Sequence, residues 1–326
     1  MNRRSLPVLL AVCCLSAPLL ALAQSTARPL RLVVPFPAGG ATDLSARSLA
    51  QRLGQGLGTT VVVENRAGAG GTLGSAEVAK AAPDGNTLLL STSSTHAIGP
   101  HLNANLPYKA FGPDMDFTPI AHVANAPNVV LVPVSLPVAN MKELVAYAKA
   151  RPGQLNYASS GNGTIVHLTS EAFKAQTGLF ITHIPYRGTA LSIPDLVSGK
   201  VHLLFDSVVS GMPHVKDGKL KALAVTSATR SALAPELPTV AESGLPGFVS
   251  TTWFGVYAPK GLPAEMVTRL NAEINSALRS ADVQERFARL GAEPAPANTP
   301  AQFAAMVAAD SAHWGRIIKD RKITIE

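Results

Sequence analysis

The sequence predicts an α/β protein of two lobes joined by two crossing strands, with a ligand cleft between the lobes. Short apolar runs alternate with segments of helical spacing along most of the chain, a pattern typical of strands covered by helices. Two longer apolar stretches, residues 118–132 and 251–258, interrupt that alternation. They enclose a segment with its own strands and helices, so we expect the chain to cross between the lobes twice.

The first predicted lobe opens with a buried strand at residues 30–35 and has further strands at residues 61–64 and 87–90. A helix is predicted between the first two of these strands, because apolar residues recur there at helical spacing. Those residues are Ala46, Leu49, Ala50, Leu53 and Leu57.

The second predicted lobe lies between the two crossings. It contains a helix marked by Met141, Leu144, Val145 and Ala148. Its strands are predicted at residues 155–158, 180–184, 201–205 and 220–225.

Long helices are predicted after the second crossing. Their apolar positions are Val267, Leu270, Ile274 and Leu278, and then Phe303, Met306, Val307, Trp314 and Ile317. The whole alternation predicts a mainly parallel sheet with helices on both faces. We assign residues 24–125 and 251–326 to lobe 1 and residues 126–250 to lobe 2.

The N-terminal residues predict a secretory signal peptide. Arg3 and Arg4 precede an uncharged, mostly apolar segment, and Ala21-Leu22-Ala23 fits the small-x-small cleavage rule. We therefore expect residues 1–23 to be removed and the mature chain to reach the periplasm. An uncleaved membrane anchor is the alternative, which the short apolar run disfavours. Both cysteines, Cys13 and Cys14, lie in this segment, so the mature chain is expected to have no disulfide.

Composition and charge exclude several classes of protein. With 47% hydrophobic and 15% charged residues, the chain has the balance of a globular protein with an ample core. The formal net charge of +7 is spread along the chain without a Lys/Arg run. It indicates a mild preference for anionic ligands and no nucleic-acid partner.

A Gly-rich loop at residues 35–43 (PFPAGGATD) is the sharpest candidate for a ligand site. It follows a strand and opens a helix, so its backbone N–H groups and the helix dipole suit a carboxylate or phosphate. The alternative is a tight turn in which Thr42 or Asp43 caps the helix. The loop has neither the Gly-Lys-Ser/Thr of a P-loop nor the glycine spacing of a dinucleotide fingerprint.

A second loop, residues 159–164 (SSGNGT), has the same strand-to-helix character and lies in the other predicted lobe. Two helix starts that face each other across a cleft would hold an anion from both sides. A third strand end, at residues 91–96 (STSSTH), carries hydroxyl groups that could donate hydrogen bonds to a ligand. The alternative is that these residues only cap a helix. Asp206 ends another apolar strand and is expected to orient cleft groups, to bind an amine or to cap a helix.

An enzyme is not expected, and no catalytic residue, metal ligand or cofactor is assigned. The eight histidines form no His-x-His or His-x-x-x-His pair. A hydrolase that uses Ser160, His167 and Asp206 is a remote alternative, because a serine and a histidine seven residues apart around one helix start rarely lie within the ~3 Å that catalysis needs. His167 is instead expected to contribute to packing or to give polar support to the residues that bind the ligand. Arg187, beside a turn, is either a charged ligand contact or an exposed side chain.

The chain resembles the Bug, or TctC-like, solute-binding proteins of tripartite tricarboxylate transporters. The matching segments follow the family order over essentially the whole mature chain. They are residues 33–43 (VVPFPAGGATD), 63–71 (VENRAGAGG), 82–85 (APDG), 185–188 (PYRG) and 237–244 (LPTVAESG).

The resemblance implies a type II periplasmic-binding fold that closes on its ligand like a flytrap. It implies as ligand a di- or tricarboxylate, an acidic amino acid or an aromatic acid, held largely by backbone amides, small polar side chains and waters. The positions carried over are Phe36, Ala38, Gly39, Asp43, Ser93, Ser160, Gly163, Thr164 and Asp206. Thr95, His167 and Arg187 are expected to bind the ligand or to support those that do.

The resemblance also implies that the receptor delivers its ligand to membrane permease subunits. We expect a monomer. The alternative is a ligand sensor, which would capture its ligand in the same way but would dock on a periplasmic signalling protein instead of a permease. Two departures from the family pattern concern the cleft: Ser93-Ser94 replaces a usual Gly or Asn, and residues 109–116 lengthen a connection at its outer edge.

Overall fold

The structure is a computed structural model that describes residues 28–231, 234–321 and 323–324. The predicted signal peptide, residues 1–23, lies outside the described residues. In the part of the chain that is described, no helix has the length and apolar character needed to cross a membrane.

The strands agree closely with the predicted apolar runs. They are β1 (Leu30–Val34), β2 (Val61–Asn65), β3 (Thr87–Thr92), β4 (Phe117–Pro133), β5 (Asn156–Ser159), β6 (Thr182–Pro185), β7 (Leu203–Ser207), β8 (Leu220–Val225), β9 (Thr251–Pro259) and β10 (Glu293–Pro294). The helices are α1 (Ala41–Leu57), α2 (Thr72–Ala79), α3 (Gly99–Leu102), α4 (Met141–Lys149), α5 (Ile165–Thr177), α6 (Ile193–Val197), α7 (Val208–Lys216), α8 (Ala264–Arg279), α9 (Ala281–Leu290) and α10 (Pro300–Arg321).

One long strand, β4, connects the two lobes. Its residues 117–127 pair with β9, and its residues 128–133 pair with β7 and β8. Pro127 is the last residue of β4 that pairs with β9. A residue without an N–H is tolerated there because the hydrogen-bonding partner of β4 changes at this point. The strand order β2-β1-β3-β9-β4-β7-β5-β6 therefore runs from the first lobe into the second. The exact lobe boundaries at residues 125/126 and 250/251 stay a prediction.

Strand direction differs in part from the prediction of a mainly parallel sheet. Three strands of each lobe pair in parallel, β1 with β2 and β3, and β5 with β6 and β7, whereas β8 and β10 pair antiparallel with β4. The crossing strands β4 and β9 are antiparallel to each other and to their neighbours β7 and β3. The chain leaves the first lobe along β4 and returns along β9, so these strands must run in opposite directions, and for them the prediction is wrong.

The core consists of two hydrophobic clusters. The larger one is built on first-lobe residues such as Leu32, Leu89 and Phe254, and it continues into Ile165 and Val166 at the start of α5. The smaller cluster belongs to the second lobe and is rich in Phe side chains. Because the larger cluster reaches across the cleft, the two lobes are in contact.

Three helices begin where parallel strands end: α1 after β1, α5 after β5 and α7 after β7. The carboxyl ends of such strands share one edge of a sheet, which is where ligands bind in open α/β folds. The topology thereby brings three helix N-termini to the boundary between the lobes.

Candidate ligand-binding cleft

A small cavity lies between the lobes at these helix starts. Most of its lining residues are small, apolar or hydroxyl-bearing. They are Phe36, Pro37, Gly40, Ala41, Thr42, Thr92, Ser94, Ser160, Ile165, Val166, Gly188, Thr189, Ala190, Asp206, Ser207, Thr252 and Phe254. Among the described residues that line this cavity, Asp206 is the sole ionisable one.

The first wall is the loop before α1, and Asp43 holds it in shape. The buried Asp43 carboxylate accepts hydrogen bonds from Gly39 N–H at 2.9 Å, from Arg47 Nε at 3.0 Å and from Asn65 Nδ2 at 3.0 Å. Burial by itself would raise the pKa of Asp43, but these hydrogen bonds lower the pKa below its usual value. Asn65 also donates to the Phe36 carbonyl at 3.0 Å, which holds the backbone of the loop at this residue.

The start of α1 is open toward the cavity. Its N-cap, Gly40, has no side chain and so provides no side-chain cap. The first N–H groups of a helix have no partner inside the helix. Gly40, Ala41 and Thr42 all line the cavity, so the free donors of α1 lie at its wall.

The second wall is the loop before α5. Thr164 is the N-cap: its hydroxyl accepts from His167 N–H at 3.4 Å and donates to the Gly161 carbonyl at 2.8 Å. Ile165 N–H donates across the cleft to Ser94 Oγ of the first lobe at 3.0 Å. The first lobe thus contributes directly to the start of a second-lobe helix.

A pair of stacked imidazoles supports this second wall from behind. The rings of His167 and His183 lie 4.1 Å apart. Gly163 N–H donates to His167 Nδ1 at 3.2 Å, and Ser159 Oγ lies 2.6 Å from His183 Nε2. Burial lowers the pKa of His167 to about 4 and that of His183 to about 3. Both rings are therefore neutral near pH 7, as acceptance of the Gly163 N–H requires of His167.

Asp206 lies in the cavity wall at the end of β7. Its carboxylate accepts from Ser207 N–H at 2.9 Å and from Ser210 Oγ at 2.7 Å. Burial raises the pKa of Asp206 to about 6, against the opposing effect of hydrogen bonds from Ser210, Ser207 and Thr189. This group has no cationic neighbour among the lining residues.

The lobes touch at two glycines whose backbones lack room for a side chain. A β-carbon on Gly70 would lie 3.0 Å from the Asn162 carbonyl oxygen in the other lobe. A β-carbon on Gly188 would lie 2.6 Å from Cδ of Pro37. These approaches and the Ser94–Ile165 hydrogen bond define a closed arrangement of the lobes.

A buried polar network joins the two crossing strands beside the cavity. Asn128 on β4 accepts from Thr252 Oγ1 at 3.0 Å and donates to Ser250 Oγ at 3.4 Å. Ser250 Oγ in turn lies 2.5 Å from Thr169 Oγ1 on α5. Because Thr252 also lines the cavity, the network connects the crossing strands to the site.

The residues predicted for the site fall into three groups. Phe36, Ser160 and Asp206 line the cavity. Asp43, Gly163, Thr164 and His167 lie behind its walls and hold the two loops through the hydrogen bonds described above.

The remaining predicted residues lie outside the lining. Ala38, Gly39 and Arg187 are exposed. Ser93 is buried, with no hydrogen-bond partner for its hydroxyl among the described residues. The Thr95 hydroxyl bonds with Ser91 at 2.8 Å, inside the first lobe.

Several lining residues were missed by the sequence analysis. Thr42, Ser94 and Ser207 each lie one position from a predicted contact, namely Asp43, Ser93 and Asp206. Thr92 lies in a segment that the sequence analysis singled out, and Thr189 directly follows one. Thr252 had no local signal, because only the pairing of β9 with β4 brings it to the cleft.

Within residues 28–231, 234–321 and 323–324, no group of three or more His, Cys, Asp or Glu side chains could hold a metal ion. The residues that line the cleft offer a ligand neutral donors: hydroxyl groups and the uncapped N–H groups at the start of α1. Two α/β lobes joined by crossing strands, with such a cavity between them, are the features of a solute-binding protein.

The chain belongs to the TctC family, described as "Tripartite tricarboxylate transporter family receptor", whose sequence model matches residues 45–323. The predicted resemblance is thereby confirmed. Protein BugT of Bordetella pertussis is 41% identical over 295 residues, which cover 90% of this chain and 89% of BugT.

Solved structures show the same fold. The Rhodopseudomonas palustris protein Rpa4515, solved with adipate, is 38% identical with a TM-score of 0.87, covering 91% of this chain and 98% of its own. MatC from the same organism, with bound malate, is 33% identical with a TM-score of 0.83, covering 89% and 98%. The predicted two-lobed periplasmic-binding fold is confirmed.

Proposed function

We propose that this chain is an exported receptor that captures a small carboxylate in its cleft and presents it to the membrane permease subunits of a tripartite tricarboxylate transporter. One observation carries the proposal. The starts of α1 and α5 face a common cavity, and among the described residues its lining has hydroxyl groups and the uncapped N–H groups of α1 but no Lys or Arg. Helix N-termini stabilise an anion there without a charged side chain.

Direct ligand contacts are proposed for residues that line the cavity. Phe36, Ser160 and Asp206 are predicted from the sequence, and Thr42, Ser94 and Thr189 join them. Ala38, Gly39, Asp43, Ser93, Gly163 and Thr164 are proposed to shape the loops and to reach the ligand through water where they are near it. Thr95, His167 and Arg187 have supporting roles in the proposal.

The related structures with adipate and malate support a small aliphatic acid as the ligand. Apolar lining by Phe36, Ile165, Val166 and Phe254 suits the carbon chain of such an acid, while the helix starts suit its carboxylate. Acidic amino acids and aromatic acids remain in the proposed range.

Calorimetric titration tests this function. The panel is citrate, malate, succinate, adipate, glutamate, aspartate and nicotinate, and at least one acid is expected to bind. Ser160→Ala should weaken that binding about tenfold or more, because one hydrogen bond to a charged carboxylate is lost. Ser198→Ala, at an exposed serine of the same lobe, is the matched control and should leave the affinity unchanged. A folded protein that binds no acid in the panel would contradict the proposal.

Catalysis is not part of the proposed function. The Nδ1 atom of His167 accepts the Gly163 N–H, so the neutral ring carries its proton on Nε2 and has no free nitrogen to accept a proton from Ser160. Ester turnover that His167→Ala abolishes would instead favour the hydrolase.

Export, cleavage after Ala23 and a monomeric state complete the proposal. Mass spectrometry of protein recovered from the periplasm should give a chain that begins at Gln24. Light scattering after gel filtration should give the mass of one chain. Neighbouring genes for permease subunits would favour transport over a sensor role.

A further inference from the structure

The position of Asp206 conflicts with the charge of the proposed ligand. Its carboxyl group is 2% exposed and lies in the wall of the cavity that would enclose a carboxylate. Two like charges repel strongly when water is excluded between them. No Lys, Arg or His lines the cavity to offset them among the described residues.

The groups that face Asp206 are neutral on each element around it. Helix α7 contributes the Ser210 hydroxyl and the Ser207 N–H, the turn before α6 contributes Thr189, and β4 contributes its strand partner Val129. Ionisable side chains on the neighbouring elements are Asp43, Arg47 and Arg52 on α1, His122 on β4, His167, Glu171 and Lys174 on α5, Asp195 on α6, His214 and Lys216 on α7, and Arg187 before the turn. None of these contributes to the shifted pKa of Asp206, which burial raises to about 6.

We propose that capture of a carboxylate by this cleft takes up one proton, which Asp206 carries in the closed complex. The inference rests on the proposed function and adds that ligand binding is coupled to pH. The proton moves from solvent to a carboxylate oxygen of Asp206, so the enclosed pair of carboxyl groups carries one negative charge instead of two.

The surroundings of Asp206 accommodate that proton. Ser210 Oγ lies 2.7 Å from Asp206 Oδ2 and 3.3 Å from the Ser207 carbonyl oxygen. When Oδ2 is protonated, the serine hydroxyl can donate to the carbonyl and accept from the acid. The protonated Asp206 can alternatively donate to the ligand carboxylate, as a neutral acid in an apolar site does.

Titrations of adipate and malate in buffers of low and high ionisation enthalpy, HEPES and Tris, test the inference. At pH 7.5 the wild-type protein should take up about one proton per ligand. Its affinity should fall about tenfold for each pH unit between about pH 7 and 9, as one-proton linkage requires. Asp206→Asn resembles the protonated acid in shape and charge, so it should bind without proton uptake, with an affinity that does not depend on pH.

Asp217→Asn is the matched control, because Asp217 is an exposed acid just after α7. It should retain both the proton uptake and the pH dependence of the wild type. Binding to the wild type without proton uptake, or weaker binding by Asp206→Asn than by the wild type at pH 8, would overturn the inference and leave the proposed function standing. Failure of every acid in the calorimetric panel to bind either protein at pH 6 would overturn both.

Discussion

Single residues decide how closely the lobes approach. Gly70 has a φ of +63° and would place a β-carbon 3.0 Å from a carbonyl oxygen of the other lobe. Gly188 has a φ of +138° and meets Pro37 across the cleft. At both positions glycine satisfies two demands at once: a backbone conformation that other residues rarely adopt, and a close contact in the closed form.

Gly70→Ala should weaken ligand binding about threefold to tenfold, because the new methyl group opposes closure. It should also lower the free energy of unfolding by about 1 kcal/mol, the usual cost of a left-handed conformation for alanine. Calorimetry and urea unfolding measure the two effects separately.

Gly178→Ala is the matched control for this change. Gly178 has a nearly equal φ of +68°, and no atom lies within 4 Å of its added β-carbon. The control should lose similar stability and keep the wild-type affinity. Equal affinity losses in both variants would show that backbone strain, and not the cleft contact, is responsible.

At the scale of elements, the start of α5 is the most elaborately supported part of the site. Thr164 caps it from within, Ser94 accepts from it across the cleft, and His167 and His183 support its loop. The neutral state of His167 is essential, because a protonated Nδ1 could not accept from Gly163 N–H.

The stability of the protein should fall as the pH falls from 6.5 toward 4. The pKa of His167 is lowered to about 4 in the folded chain, so the unfolded chain binds more protons in this range. One such group contributes about 1.4 kcal/mol of lost stability per pH unit. His167→Gln should reduce the slope of unfolding free energy against pH by roughly that amount, as measured by urea unfolding.

His313→Gln, at an exposed histidine on α10, serves as the control and should keep the wild-type slope. An unchanged slope in His167→Gln would mean that another group, with His183 the first candidate, dominates the acid response.

At the scale of the whole molecule, a buried network of polar side chains joins the two crossing strands that we expect to act as a hinge. Asn128 contacts Ser250 and Thr252 across the pair of strands, and Ser250 reaches Thr169 on α5. All four side chains are buried, so each lost partner leaves a polar group unpaired.

Asn128→Ala should lower the free energy of unfolding by about 1–3 kcal/mol, since the buried Thr252 hydroxyl loses its partner and the Ser250 hydroxyl loses one of two. It should also weaken ligand binding, because Thr252 lines the cavity. Asn105→Ala, at an exposed asparagine, should change stability by less than about 0.5 kcal/mol. Urea unfolding that gives equal values for the two variants would contradict a structural role for the network.

Much of the fold could be predicted because each strand carries its own apolar run. Residues 220–225 were predicted as a strand and form β8, and the long stretch at residues 118–132 became β4 despite Pro127. Strand direction was less accessible, since pairing depends on how the chain returns through β9. The neighbours of a predicted contact, such as Ser94 beside Ser93, were missed because a single helical turn decides which side chain faces the cleft.

The sequence by itself determined the alternating elements, the two loops at helix starts and the family, because these depend on local composition and on motif order. Only the tertiary structure decided which side chains meet in the cavity. Thr252 arrives there on a crossing strand, Ser94 reaches Ile165 of the other lobe, and Asp206 becomes a buried acid beside an anion site. Such relations depend on contacts between residues distant in the chain, and on the loss of water between them, which local patterns do not encode.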